Sequence, residues 1–337
     1  ASSGLDADLL DGNHASAFLT PTGDGSGLTG LSTSIEGLTD GYNVGNSVGL
    51  GTGALANDDG TANKNTAVGT NALNTNTTGS ENVASGYNAL KFNTTGTNNT
   101  AIGLSAMHSN TTGTENNAIG VTSLYANTEG NNNIALGHVA LRFNTTGDNN
   151  VALGHKASYS NTTADDNVAV GHQALYTNTT GANNTAVGKD ALTANTTGPN
   201  NTGIGKDALL ANTTGHENTG IGVGTLKVNT TGQDNTAVGV NALDANTTAS
   251  NNTAVGRDAL GTNTTGANNT AVGQGALDAN TTAQNNTAVG KDAGGAITTG
   301  HSNVLVGSYA GAGGIGNLTT GLRNILIGHG AGQNNGN

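Results

Sequence analysis

Apolar positions along this chain come in two small groups separated by polar runs, and the arrangement recurs. In "NTAVGTNALNTNTTGSE" (65–81) the groups are Ala67-Val68 and Ala72-Leu73, and everything else is Asn, Thr, Gly, Ser or Glu. The Gly that follows the first group returns at Gly69, Gly86, Gly103, Gly120, Gly137, Gly154, Gly171, Gly188, Gly205, Gly222, Gly239, Gly256, Gly273, Gly290 and Gly307, each step being seventeen residues. Counting from Asn65 as place 1, the unit reads N-T-A-V-G-x-x-A-L-x-x-N-T-T-G-x-N. Place 4 is Val, Ile or Leu apart from Ser85, and place 9 is usually Leu, once Met107. Place 12 is Asn thirteen times in succession, from Asn76 to Asn280, before Ile297 ends the column. A degenerate unit ending at Leu55 precedes the series, and "NILIG" (324–328) follows after a longer step.

A fixed period this short excludes helical-pair repeats, which need thirty or more residues. The Gly, Asn and Thr clusters oppose helix locally as well. "NTAVG" has the alternation of a short strand, which predicts Val facing inward and its neighbours outward. "ALxx" predicts a second strand. "NTTGxN" is turn chemistry, since Asn tolerates the left-handed region, Thr bonds locally and Gly supplies positive φ. Two short strands and two bends make one coil of an all-β, parallel β-solenoid with 17 residues per coil. Stacked at the inter-strand spacing, fifteen coils extend about 70 Å. Stacking explains the invariance: a Gly needed in one bend is needed in all, and stacked Asn side chains hydrogen-bond along their column. The expected organisation is a connector or cap over 1–45, the solenoid over 46–307 and an irregular repeat with a cap over 308–337.

Composition sharpens this. Leu, Ile, Val and Phe make about a fifth of the 337 residues, too little for a thick globular core. One Val and one Leu per coil are a small return for ordering seventeen residues. A homo-oligomer is therefore expected, with a partner chain covering one of the two apolar rows. The net charge of −12 excludes a basic nucleic-acid footprint. With no Cys there is no disulfide framework or thiolate metal site, which suits an extracellular setting. No apolar run is long enough to insert into a membrane, and no secretion signal is visible.

"NTAVGKDAL", "NTAIGLSAM" and "NNAIGVTSL" resemble the head repeats of trimeric autotransporter adhesins, and the longer unit with "NTTG" resembles repeats of tail-fibre-like proteins. The resemblance covers about residues 46 to 330 and is specific at "AVG" and "AL"; the unit here is longer than the adhesin one, "NTTG" enlarging one bend. It implies a left-handed β-roll, three chains side by side, and the shaft or adhesive head of an extracellular surface filament or phage tail fibre. The partners implied are further copies of the chain and host-surface carbohydrate or protein. "LDADLLDGNHASAFL" (5–19) and "GDGSGLTGL" (23–31) are similar to connector modules of such fibres; the apolar stripe Leu9, Leu10, Phe18 and Leu19 would cap the first coil.

Candidate chemistry is sparse. His138, His155 and His172 share place 6 in three successive units. A His ladder is metal-binding chemistry, but the column also holds Lys189, Lys206, Val223, Arg257 and Gln274; the expectation is an outward variable column, no metal and no cofactor. Asp6, Asp8 and Asp11 miss the spacing of a calcium loop and read as turn residues. "NTT" is a glycosylation sequon at Asn76, Asn93, Asn110, Asn144, Asn161, Asn178, Asn195, Asn212, Asn229, Asn246, Asn263 and Asn280; equally, Asn and Thr build the bend. Phe92, Tyr125, Phe143, Tyr159 and Tyr176 fall in the two places after place 9. They form a strip that grips sugars or covers an oligomer seam. No unlike residues converge as an enzyme site needs. An alternative function is ice binding by Thr ranks such as Thr77, Thr94 and Thr111.

Overall fold

The computed structural model describes residues 41–44, 46–61, 63–313 and 319–333. The proposed connector, its Asp cluster and its apolar stripe lie outside the described residues. The described chain is an all-β parallel solenoid with no helix.

Strand β1 (Gly41–Val44) pairs antiparallel with β2 (Ser47–Leu50). From β3 (Thr66–Val68) to β17 (Val304–Val306) a three-residue strand recurs every seventeen residues. β18 (Ile325–Ile327) follows after a step of twenty-one, from Val304 to Ile325. Each of these strands pairs in parallel with the next, and each place stands on the same place, with like on like at Ala67 on Ala84, Thr185 on Thr202 and Ala271 on Ala288. The hairpin places a hydrogen-bonded neighbour on the edge of β2, an edge that would otherwise be free to pair with another chain.

The strand is oriented opposite to the sequence-based expectation. Ala67 is fully buried, while Val68 is 40% exposed; the same inward Ala and outward flanks recur from coil to coil. The reason is the width of the coil. The segment carrying place 9 Leu lies directly across from the strand. A Cβ on Gly203 would sit 3.2 Å from Leu192 Cγ, so a methyl is about the largest group the strand's inner position admits. Bulk there must be compensated. Where Thr225 replaces Ala at place 8, the facing place 3 is Gly220, whose Cβ would lie 2.9 Å from Thr225 Oγ1. Where Leu305 occupies place 3, the neighbouring place 9 residues are Gly294 and Gly311.

The second expected strand is also absent. Places 5 to 12 form two successive turns, closed by Ala72 N–H donating to Gly69 O (3.1 Å) and Asn76 N–H donating to Leu73 O (3.2 Å). Leu at place 9 is left-handed: φ is 48° at Leu73, 48° at Leu90 and 54° at Leu243. That conformation costs an L-residue about 1 kcal/mol or more. It persists because the Leu N–H donates to the next coil, Leu73 to Ala89 O at 3.1 Å, while the side chain is fully buried. "NTTGxN" does form a bend, but its Gly does not supply the positive φ; the left-handed residue is at place 17, with φ of 60° at Glu81 and 58° at Asn98.

Place 5 Gly has φ near +130° in every coil, 128° at Gly69 and 134° at Gly188. A Cβ on Gly69 would lie 2.7 Å from the carbonyl carbon of Gly86 above it. Backbone conformation and coil stacking thus both demand Gly. At place 15 neither Gly nor its substitutes have a left-handed φ, and Ala occurs there at Ala164, Ala249 and Ala283.

A large part of the interior is polar. The place 12 Asn side chains form the ladder that stacking predicts: Asn93 Nδ2 donates to Asn76 Oδ1 (2.8 Å) and to Gly96 O of its own bend (3.0 Å). A second ladder runs along place 1. The backbone N–H of Asn82 donates to Asn65 Oδ1 at 2.9 Å, and Asn82 Nδ2 donates to Gly96 O at 2.9 Å. Both ladders therefore converge on the place 15 carbonyl. Buried amides tolerate desolvation only when bonded, and here the repeat itself supplies the partner.

Candidate functional site

Two outward strips run along the solenoid. The first is the strand face. With Ala turned in, places 2 and 4 face solvent. Exposed apolar side chains at place 4 include Val68, Ile102, Ile119, Ile204, Val255 and Val306. Place 2 differs along the length. From β10 (Thr185–Val187) to β16 (Thr287–Val289) it is Thr in every strand, Thr185, Thr202, Thr219, Thr236, Thr253, Thr270 and Thr287. In the earlier coils it includes Val83, Asn117, Ile134, Val151 and Val168. Apart from Ser85 the place 4 rank is apolar along its length, and exposed apolar ranks of this kind are common at contact sites.

The second strip lies across the core from the strand, at places 6, 7, 10 and 11. Between Tyr87 and Thr177 these places hold no carboxylate. They hold instead a run of ring contacts from coil to coil. Phe92 meets His108 edge-to-face at 4.8 Å between centroids, and His108 stacks on Tyr125 at 4.9 Å. Phe143 meets Tyr159 edge-to-face at 5.0 Å, and Tyr159 stacks on Tyr176 at 5.2 Å. Lys91 lies over Phe92 at 5.0 Å, Arg142 over Phe143 at 5.5 Å and over Tyr125 at 5.7 Å, and Lys156 over Tyr176 at 5.8 Å. The structure thus gathers all five aromatics singled out from sequence into one strip, away from the strand face.

His138, His155 and His172 stack face to face at 5.3 Å per step, with interplanar angles of 20° and 24°. Ring nitrogens lie in the ring plane, so parallel stacking holds the three sets side by side without converging on one point. Among the described residues no group of three or more His, Asp or Glu is placed to hold a metal ion. Burial first, then the charges of Lys156, His138 and His172, lower the His155 pKa. His108 is lowered by burial and then by Lys91.

Beyond Thr177 the same places carry Asp190, Asp207, Asp244, Asp258, Asp278 and Asp292. Lys189, Lys206, Arg257 and Lys291 each lie against the Asp that follows, at 2.6, 3.6, 2.8 and 3.9 Å. The basic members are more than half exposed, and such pairs add little stability. Asp244 is raised by burial, with the charges of Asp258 and Asp278 acting the same way; Asp278 is raised by burial, then by Asp258 and Asp292.

The twelve sequon Asn residues, Asn76 to Asn280, are fully buried. Their amide nitrogens donate within the place 12 ladder, as Asn161 Nδ2 does to Asn144 Oδ1 (2.7 Å) and Ala164 O (3.0 Å). A glycan on any of them would have to displace the ladder. The hydroxyls of Thr77, Thr94 and Thr111 each donate to the Thr carbonyl of the next coil at 3.0, 3.0 and 2.9 Å, so the bend Thr ranks serve the coil stack. Sequence reasoning missed the place 1 Asn ladder, although its invariance from Asn65 to Asn303 was a visible signal. It also missed the Thr-Val strand face, because the strand had been assigned the opposite orientation. No known protein family and no curated protein matches this chain.

Proposed function

We propose that this chain is a non-enzymatic structural rod of an extracellular filament or phage-type fibre, in which further copies, three in all, lie side by side. The observation that carries the reading is the apolar place 4 rank, presented on an in-register strand face with its Ala partners turned inward. Burial of that face against a second copy supplies the apolar area that a narrow, partly polar core lacks. The repeat's resemblance to trimeric adhesin heads supports the count of three and the extracellular location. Stiffness comes from the ladders: backbone bonds and two buried amide columns tie each coil to the next, so bending the rod would stretch many bonds together.

The test is sedimentation velocity on the full chain. An elongated particle of three times 32.9 kDa is expected, and Ile204→Asp with Ile221→Asp should release smaller species. An elongated monomer at micromolar concentration would overturn the seam; a compact particle would overturn the rod.

A second reading, ice binding, gains from one observation. The Thr and Val or Ile ranks from β10 to β16 form a regular two-column lattice on a strand face, unlike the bend Thr ranks considered from sequence. Thermal hysteresis of the full chain checks it, and loss on Thr219→Lys with Thr236→Lys would locate it.

A further inference from the structure

We infer that the strip between Lys91 and Tyr176 is a binding site for an extended acidic polysaccharide. The inference rests on the rod reading for one point, that the strand face and not this strip is covered by other copies.

Three observations lead to this ligand. First, the strip contains two copies of one station. "KFNTTG" (91–96) and "RFNTTG" (142–147) occupy the same places three coils apart, a separation of about 14 Å at the inter-strand spacing. In each, a cation lies over the Phe ring, and that ring is turned nearly perpendicular to its neighbour, by 86° at Phe92 and 85° at Phe143. The other rings of the strip stack with small interplanar angles and cover one another's faces. Phe92 and Phe143 are 41% and 42% exposed, so both keep area for a ligand, as do the exposed rings of His138, His155 and His172.

Second, the cations are uncommitted. Among the described residues Lys64, Lys189, Lys206, Arg257 and Lys291 each sit within 4 Å of a carboxylate. Lys91, Arg142 and Lys156 have no such partner, as Lys227 and Arg323 have none, but among these five the three strip cations are the ones that lie over aromatic rings. Arg142 Nε is out of contact with solvent, so a carboxylate arriving beside Phe143 would be met by the terminal nitrogens of the guanidinium.

Third, the charge is local. The chain as a whole is −12, yet this stretch of the strip has cations and no carboxylates, which marks it for an anionic partner. Apolar rings beside separate cations match the faces of sugar rings bearing carboxylates. Cations spaced several coils apart suit a sparsely charged chain better than the dense phosphates of a nucleic acid. Two stations in line with the rod select a polymer over a single sugar.

The experiment is calorimetric titration of the full chain with oligogalacturonate, a neutral cello-oligosaccharide, polyglutamate and a single-stranded oligonucleotide. The expected result is saturable, salt-sensitive binding of oligogalacturonate, with the other three at least about tenfold weaker. Phe92→Ala with Phe143→Ala, and separately Lys91→Gln with Arg142→Gln, should each weaken it by about tenfold or more. Lys189→Gln with Lys206→Gln should leave it unchanged. Circular dichroism of every variant verifies the fold. Absence of saturable binding, indifference to both pairs of strip substitutions, or equal or tighter binding of polyglutamate or the oligonucleotide would each overturn the inference. Sedimentation of the same samples separates the two readings: a monomer that binds oligogalacturonate defeats the seam and leaves the strip standing.

Discussion

The coils from Asn82 to Asn183 and those from Asn184 to Gly300 have one interior and two exteriors. Inside, both halves stack Ala on Ala, bury Leu in a left-handed turn and bond Asn to Asn. Outside, the first half carries rings and unpaired cations where the second carries Asp beside Lys or Arg. The second half also keeps Thr at place 2 without a break. The contrast separates two kinds of column. An inward column is held by the coil above and below, so a change must be answered by a neighbour, as Thr225 is answered by Gly220. An outward column is answered only by solvent or by a ligand, so it can diverge. Specificity in this molecule is therefore expected on the outside, region by region.

The shared interior predicts equal damage in both halves. Gly120→Ala and Gly256→Ala each force a Cβ into the carbonyl of the adjacent coil and a φ near +135°. Each should destabilise by about 3 kcal/mol or more in urea melts followed by circular dichroism. Gly181→Ala should cost less: a Cβ there would also lie 2.6 Å from Gly198 O, but its φ is not left-handed and Ala occupies the same place at Ala164, Ala249 and Ala283. A large difference between Gly120→Ala and Gly256→Ala would show that the two interiors are not equivalent.

The Asn ladder comes next. Asn161→Ala and Asn263→Ala each take the ladder donor from a buried amide oxygen, Asn144 Oδ1 or Asn246 Oδ1, and one of two donors from a bend carbonyl that keeps its place 1 Asn, with an expected loss of about 2 kcal/mol. Loss within 0.5 kcal/mol, as for a surface change, would mean the ladder does not hold the coil.

The smallest effect divides the halves by sign. Folding lowers the pKa of His108 and His155 below 6.5. The folded first half then binds fewer protons than the unfolded chain, and it should lose stability as pH falls below that value. Folding raises Asp244 and Asp278 above 3.8. The folded second half binds more protons there and should gain stability as pH falls toward the ordinary carboxylate range. Unfolding can be local in a solenoid, so hydrogen exchange at pH 7, pH 5 and pH 4, corrected for intrinsic rates, reads the His effect over the first interval and the Asp effect as pH falls to the last. Parallel shifts in the two halves would reject the assignment.

Period, coil count, parallel stacking, the place 12 ladder and the Gly bends were legible in the sequence. Each follows from repetition alone: if seventeen-residue units stack in register, Gly69 must meet Gly86 and Asn76 must meet Asn93. What repetition could not supply was which side of the strand faces in. Val68 is the more apolar residue and Ala67 the less, and burial by hydrophobicity favours Val. The coil is too narrow for that. Leu73, held left-handed by its bond to Ala89, fills the space across from the strand and leaves room for a methyl. That single steric decision turned the Val rank outward and created the strand face. Likewise the sequence placed Lys91, Phe92, Arg142 and Phe143 in register, but ring orientation and the absence of an ion partner depend on neighbours in adjacent coils. Like-on-like order is a one-dimensional property that a repeat states directly; packing across the coil is set by volumes that meet only once the chain has folded.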